Sequence, residues 1–211
     1  MTRAPSFAGV ILAAGESSRM GAEKALLPWP PRVEGQALSG ETFLSAAIRS
    51  LLAATDFVVV VVGRNEAALA PVVYAQGASL VVNRDTARGQ FSSLQVGLHE
   101  VLNQGRDAAM ITLVDRPPVR PATLQTLRDA FEVADHNVWA VVPEFSGAHG
   151  HPYLLGREMI AAFLQAPAAA TARDMEHQHQ SRIQYVAVPD PLVVLNVNTP
   201  EDYAGLRARS S

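Results

Sequence analysis

Short, unbroken runs of apolar residues alternate along this chain with stretches in which apolar residues recur every three or four positions. Phe7 to Ala13, Phe57 to Val62, Ser79 to Val82, Ala108 to Val114 and Val138 to Val142 are runs of the first kind. Ile183 to Val188 and Val193 to Leu195 are weaker ones. Runs rich in β-branched residues and without polar alternation fit parallel strands covered on both faces. Between them, Thr42 to Ala54 sets Phe43, Ala46, Ala47, Ser50 and Leu51 on one helical face. Phe91 to Leu102 repeats Leu94, Leu98 and Val101, and Pro121 to Ala134 opens with a proline suited to a first helical turn. Asn198-Thr199-Pro200-Glu201-Asp202 combines a capping residue, a first-turn proline and two early acids, the marks of a helix start. This alternation predicts an α/β fold built on a doubly wound, mostly parallel sheet. Pro28 to Gly40 reads as an irregular loop and Ala161 to Ala172 as an alanine-rich stretch broken by Pro167. Neither is a linker long enough to divide the chain, so one domain is expected across residues 1–211.

Composition narrows the chemistry. With 48% hydrophobic and 18% charged residues in 211, the balance is that of a globular protein with a substantial core. The formal net charge of -3 gives no bulk attraction to nucleic acid or to an anionic membrane, so any phosphate must be bound by a local site. The absence of cysteine excludes disulfides, thiolate metal sites and a cysteine nucleophile. Met1 to Ser6 does not read as a signal peptide, and Phe57 to Val62, the longest apolar run, is too short to span a bilayer. A cytoplasmic location is expected.

The most informative stretch follows the first strand: Leu12-Ala13-Ala14-Gly15-Glu16-Ser17-Ser18-Arg19-Met20-Gly21-Ala22-Glu23-Lys24. Ala13, Ala14 and Gly15 let the backbone approach a ligand closely, and successive N–H groups there can form an anion-binding concavity. Ser17 and Ser18 add hydroxyl donors, and Arg19 and Lys24 add charge suited to a polyphosphate. The pattern is neither a Walker A loop nor the dinucleotide fingerprint. A lone glycine loop would read equally well as a plain strand–turn; two glycines, an arginine and a lysine after a strand favour phosphate.

Asp115 is the second point of interest. It follows the run Ala108 to Val114 and precedes Arg116-Pro117-Pro118, which puts it at the carboxyl end of a strand, where doubly wound sheets bind ligands. If that strand is the fourth and lies beside the first, Asp115 faces the Gly15 loop. One carboxylate with phosphate oxygens and water suffices to anchor magnesium. Asn196 and Asn198 carry neutral oxygens of the same hard type, although Asn198 also suits a helix N-cap. Asp115 without the first loop would read as a turn residue. Among the six histidines, His177-Gln178-His179 reads as a solvated face, since residues two apart on a helix do not face each other.

These motifs together resemble the molybdenum-cofactor nucleotidyltransferases, within the Rossmann-like nucleotide-diphospho-sugar transferase fold. Leu12-Ala13-Ala14-Gly15, Arg19-Met20-Gly21, Lys24 and Leu26-Leu27-Pro28 match the family's N-terminal signature. The likeness recurs at Gly89-Gln90-Phe91-Ser92-Ser93-Leu94, Val114-Asp115-Arg116-Pro117, Gly150-His151-Pro152 and Asn198-Thr199-Pro200-Glu201-Asp202-Tyr203. The resemblance implies transfer of CMP from CTP to the phosphate of molybdopterin, with magnesium as cofactor, release of pyrophosphate and transient contact with a molybdoenzyme. It implies nucleotide binding by Leu12, Ala13, Ala14, Gly15, Glu16, Ser17, Ser18, Arg19, Lys24 and Gly89, and catalytic roles for Arg19, Lys24 and Asp115. It also implies acceptor binding by Ser92, Ser93 and His151, and metal binding by Asp115 and Asn198.

The chain departs from the family at two points. Some relatives, especially cytidylyl-transferring ones, carry Asp where Asn198 stands, and relatives often have an uncharged residue in place of Arg116, whose target, phosphate or solvent, the sequence leaves open. GTP-using relatives tend to carry Leu-Ala-Gly-Gly, so Ala14 favours CTP. A guanylyltransferase and a sugar-phosphate nucleotidyltransferase are alternatives within the class. A non-catalytic carrier of a pterin cofactor is disfavoured by Arg19, Lys24 and Asp115. A nicotinamide oxidoreductase is disfavoured because the first turn has only Gly15 and Gly21, and Gly63-Arg64 rather than an acid follows Val62.

Overall fold

The computed structural model describes residues 4–15, 23–31 and 40–206. Along the chain it contains β1 (Phe7–Leu12), α1 (Phe43–Leu52), β2 (Phe57–Val62), α2 (Glu66–Ala75), β3 (Ser79–Val82), α3 (Gln90–Asn103), β4 (Ala108–Leu113) and α4 (Pro121–Glu132). Then come β5 (Ala140–Phe145), β6 (Ala148–His149), β7 (Tyr153–Gly156), α5 (Arg157–Gln165), α6 (Ala172–Gln178), β8 (Ile183–Ala187) and α7 (Pro200–Gly205). Among the described residues the eight strands form one sheet in the order β3-β2-β1-β4-β7-β5-β6, with β8 pairing β5. β1 is central and parallel to both neighbours, Val10 lying opposite Val59 of β2 and Ile111 of β4.

The unbroken apolar runs arise because both faces of this sheet are covered. Phe7, Ile11, Val58, Val60 and Val62 pack with Leu44 and Ile48 of α1, Leu69 of α2 and Leu124 of α4. The alternate residues Ala8, Val10, Val59 and Val61 pack on the other face against Leu94 and Leu98 of α3 and Ile160 and Phe163 of α5. α3 lies close on the sheet because Gly97 has no side chain. A Cβ there would stand 2.7 Å from Val10 Cγ1. Chain order reverses between β1 and β4, so the carboxyl ends of these strands open a crevice there.

Several elements differ from the sequence pattern, which marks none of β6, α5 and α6. Val193–Leu195 is not a strand: Pro191–Val194 form a 3-10 turn, with Pro191 in its first positions and the Asp190 side chain accepting from Leu192 N. β7 enters the sheet antiparallel between β4 and β5, where no strand is predicted. α2 is also unpredicted, since it contains Pro71 and buries only Leu69 and Val73. Among the described residues no helix is long and apolar enough to cross a membrane.

Asp190 ties the 3-10 turn to α4. Its carboxylate is 1% exposed. It accepts from Arg120 N at 2.9 Å, Thr123 Oγ1 at 2.8 Å and Leu192 N at 3.1 Å. Asp190→Ala strands these donors and is expected to cost about 2–4 kcal/mol, read as a lower urea midpoint with an unchanged slope, whereas Asp190→Asn retains an acceptor and costs less.

Candidate active site

The crevice between β1 and β4 holds a cavity of about 250 Å³ lined by Ala14, Gly15, Lys24, Asp115 and Asn198, together with Thr86, Gly89, Gln90 and Ser93. Three points far apart in sequence therefore meet. Lys24 opens a 3-10 turn, Lys24–Leu26, anchored by the fully buried Ala25. Its Nζ donates to Asn198 Oδ1 at 3.2 Å and lies 3.7 Å from Asp115 Oδ2. Thr199, not Asn198, is the N-cap of α7: its side chain accepts from Asp202 N in a capping box. The two roles expected to compete at Asn198 are thus divided between neighbouring residues, and the Asn198 amide is left for the cavity.

The donor set fits a magnesium ion. Asp115 Oδ1 is sealed from water and has no hydrogen-bond partner among the described residues. Asn198 lines the same cavity and carries a second hard oxygen. Such a pair completes its coordination with phosphate oxygens and water rather than with a full protein cage.

Two asparagines hold the surrounding backbone. Asn65 Nδ2 donates to Ala13 O at 2.9 Å and Glu23 Oε2 at 3.3 Å, and its Oδ1 accepts from Gly63 N. It thereby ties together the two ends of the first loop. Glu16, Ser17, Ser18 and Arg19, expected to bind nucleotide, lie outside the described residues. Asn83, 5% exposed, donates to Ser92 Oγ and Ser93 Oγ, both at 2.9 Å, and its Oδ1 accepts from Asp85 N. This fixes the first turn of α3, whose amino end carries positive partial charge and supplies Gly89 and Gln90 to the cavity.

Ser92 was expected to bind the acceptor. Instead it faces inward, donating to Gly89 O at 2.8 Å, and lines neither this cavity nor its neighbour. Ser93 lines the 250 Å³ cavity and is not among the residues lining its neighbour.

The neighbouring cavity, about 630 Å³, shares Leu12, Gly89, Gln90 and Leu113 with the first. Its lining combines apolar residues, Phe91, Leu94 and Ala168 to Ala170, with the polar and charged groups of Arg88, Arg116, His151, Tyr153, Arg173 and Glu176. Burial keeps the Arg116 guanidinium below its ordinary pKa, an effect that Asp115 opposes. Burial, assisted by Arg116, pushes His151 down to about 3, so its imidazole is neutral. Burial raises the Glu176 carboxyl against the pull of His149, His177 and Arg173.

One segment, Val193 to Val197, holds His151, Arg116 and Asp115. Val193 O accepts from His151 N at 2.8 Å, Leu195 O accepts from Arg116 Nη1 at 3.1 Å, and Val197 N donates to Asp115 O at 2.9 Å. Asn198 follows directly. The close approach at Val193 needs a glycine at position 150, where a Cβ would lie 2.2 Å from Val193 O. Backbone partners of this kind leave no residue pattern, which is why the sequence does not reveal them.

His151 makes folding pH-sensitive. Its pKa is depressed in the folded state, so its contribution is complete above about 6.5 and is lost as pH falls toward 3. We expect wild type to lose about 1–2 kcal/mol more than His151→Gln between pH 8 and pH 5. Urea titrations at the two pH values check this; equal losses would show that the imidazole protonates in place.

Fold and cavities together define an α/β protein that binds ligands across the switch point of its sheet. The chain belongs to the family of MobA-like NTP transferase domains, which matches residues 9–183. It is 26% identical over 204 residues to the molybdenum cofactor cytidylyltransferase of Escherichia coli, covering 95% of each chain. It is 29% identical over 206 residues to a probable molybdenum cofactor guanylyltransferase of Rhodopirellula baltica, covering 94% of this chain and 90% of that one. The crystal structure of Rv0371c from Mycobacterium tuberculosis superposes with a TM-score of 0.78 at 27% identity, covering 98% and 99% of the two chains. A manganese complex of Rv0371c superposes at 0.70 with 24% identity, covering 95% and 97%. The central sheet is that of the nucleotide-diphospho-sugar transferase fold.

Proposed function

We propose that this chain, as one domain, is a magnesium-dependent cytidylyltransferase that moves CMP from CTP to the phosphate of molybdopterin and releases pyrophosphate. The observation that carries the reading is the meeting of Lys24, Asp115 and Asn198 beside Ala14 and Gly15. The names of the Escherichia coli and Rhodopirellula baltica relatives support the acceptor, and the manganese complex of Rv0371c supports a divalent metal.

In the reaction an acceptor phosphate oxygen forms a bond to the α-phosphorus. The bond from that phosphorus to the bridging oxygen breaks, and pyrophosphate leaves with the electron pair. The protein's task is positioning and charge stabilisation. Magnesium held by Asp115 and Asn198 would supply neutralisation of α- and β-phosphate oxygens. Lys24 meets charge developing at the α-phosphate. Arg19, with the N–H groups of the first loop from Ala14 to Ser18 and the amino end of α3 at Gly89, holds the triphosphate, whereas Ala13 N donates to Val61 O and extends the sheet instead. The wider cavity, lined by apolar and polar residues together, takes the acceptor, and His151 lines it as a neutral hydrogen-bonding group.

Pyrophosphate release in the presence of magnesium and molybdopterin, with CTP and GTP compared by kcat/KM, tests the reading. CTP preference is expected from Ala14. A GTP preference, in line with the Rhodopirellula baltica relative, would move the chain to the guanylyltransferases. No release with either triphosphate would favour a carrier.

A further inference from the structure

Consecutive residues at the end of β4 point to different cavities. Asp115 lines the one that reaches Lys24 and Asn198, and Arg116 lines the wider one beside His151 and Tyr153. The two cavities meet along Leu12, Gly89, Gln90 and Leu113. A phosphate at the inner end of the wider cavity therefore lies next to a phosphate in the smaller one, with Asp115 on one side of the boundary and Arg116 on the other.

Arg116 is built to stay there. Leu195 O accepts from its Nη1 at 3.1 Å, and the same segment pins His151 through Val193 O and Asp115 through Val197 N. Its Nε is enclosed and has no partner among the described residues, as is His151 Nδ1. A half-buried guanidinium with unused donors is costly unless an anion completes it. The wider cavity carries Arg88, Arg116 and Arg173 against the single carboxylate of Glu176, so its charge favours an anionic occupant.

We propose that Arg116 binds the attacking phosphate of the acceptor and holds it, as the dianion, against the α-phosphate. This rests on the cytidylyltransferase reading and assigns the acceptor a phosphomonoester end facing β4. The dianion carries no proton on the attacking oxygen, so the guanidinium spares the reaction a general base. A planar guanidinium matches two phosphate oxygens at once, which an ammonium cannot do.

The test uses phenyl phosphate as a simple phosphomonoester. It is titrated by calorimetry into full-length protein saturated with magnesium and the α,β-methylene analogue of the preferred triphosphate. Arg116→Met is expected to weaken phenyl phosphate at least about 10-fold, with partial recovery in Arg116→Lys, while affinity for the nucleotide analogue stays within about twofold of wild type. A purely structural arginine would lower stability without this selective loss. In wild type, the 31P shift of bound phenyl phosphate is expected to show its second ionisation at lower pH than in the free ester, which tests the proposal even if Arg116→Met does not fold. Equal phenyl phosphate affinity in Arg116→Met, or an unshifted second ionisation, overturns the role of Arg116. Wild type that binds the nucleotide analogue but not phenyl phosphate also overturns it. Failure to bind the nucleotide analogue at all would instead bring down the nucleotidyltransferase reading.

Discussion

Lys24→Met is expected to lower turnover on the order of 100-fold or more while the protein stays folded. The lysine side chain is only 14% exposed, and its Nζ lies within reach of both Asn198 Oδ1 and Asp115 Oδ2. In the resting protein it balances the carboxylate. In the transition state it faces the charge that gathers on the α-phosphate, an interaction stronger there than in the ground state and therefore one that raises kcat. Methionine keeps the length and most of the packing of the side chain, so the loss isolates the charge. A second consequence separates this role from a structural one. Without Lys24, Asp115 loses a neighbouring cation and attracts magnesium more strongly, so half-maximal rate should be reached at lower magnesium even as the maximum falls. Steady-state rates across a magnesium series read both effects. A variant with near-normal turnover, or with an unchanged magnesium midpoint, would remove Lys24 from this role.

The parts of this site that were legible in the sequence are those whose chemistry depends on side-chain identity at the end of a strand. β1, β2 and β4 are continuous apolar runs because α1, α2 and α4 cover one face of the sheet and α3 and α5 the other. Once β4 is placed beside β1, Asp115 must open into the same crevice as Gly15. Lys24 and Asn198 follow from their motifs, and the structure brings them to 3.2 Å. What stayed hidden is held by backbone groups or by inward-facing amides. The Val193 and Leu195 carbonyls that set His151 and Arg116 belong to a stretch whose apolar residues suggest a strand, yet Pro191 and the cap from Asp190 turn it into a 3-10 segment. β7 is four residues long and follows Gly-His-Pro, too brief for periodicity to mark it. Ser92 and Ser93 both accept from Asn83 Nδ2, but the step of about 100° between adjacent helical positions leaves only Ser93 on the cavity lining, while Ser92 turns back to donate to Gly89 O. Sequence likeness identifies such a pair without saying which member faces the ligand.

Asp115→Asn is expected to raise the magnesium required for half-maximal rate and to cut the maximal rate far more than Asn198→Ala does. Both residues bring oxygen to one wall of the cavity, but only Asp115 brings charge, and a hard divalent cation prefers a carboxylate to an amide. Asp115 also has an enclosed Oδ1 without a partner among the described residues, an atom whose burial is costly until something binds it. Asn198 is different, since its Oδ1 already accepts from Lys24, so Asn198→Ala removes a weak ligand and at the same time loosens the lysine. Its expected signature is therefore a modest fall in rate with little change in the magnesium midpoint. Triphosphate binding should survive in Asp115→Asn better than turnover, because the nucleotide's own phosphates still carry magnesium into the cavity. Initial rates against magnesium for wild type and the two variants, together with equilibrium binding of the nonhydrolysable triphosphate, measure each part. Wild-type magnesium dependence and rate in Asp115→Asn would reduce Asp115 to a turn residue before Pro117 and move the metal to other oxygens around the first loop.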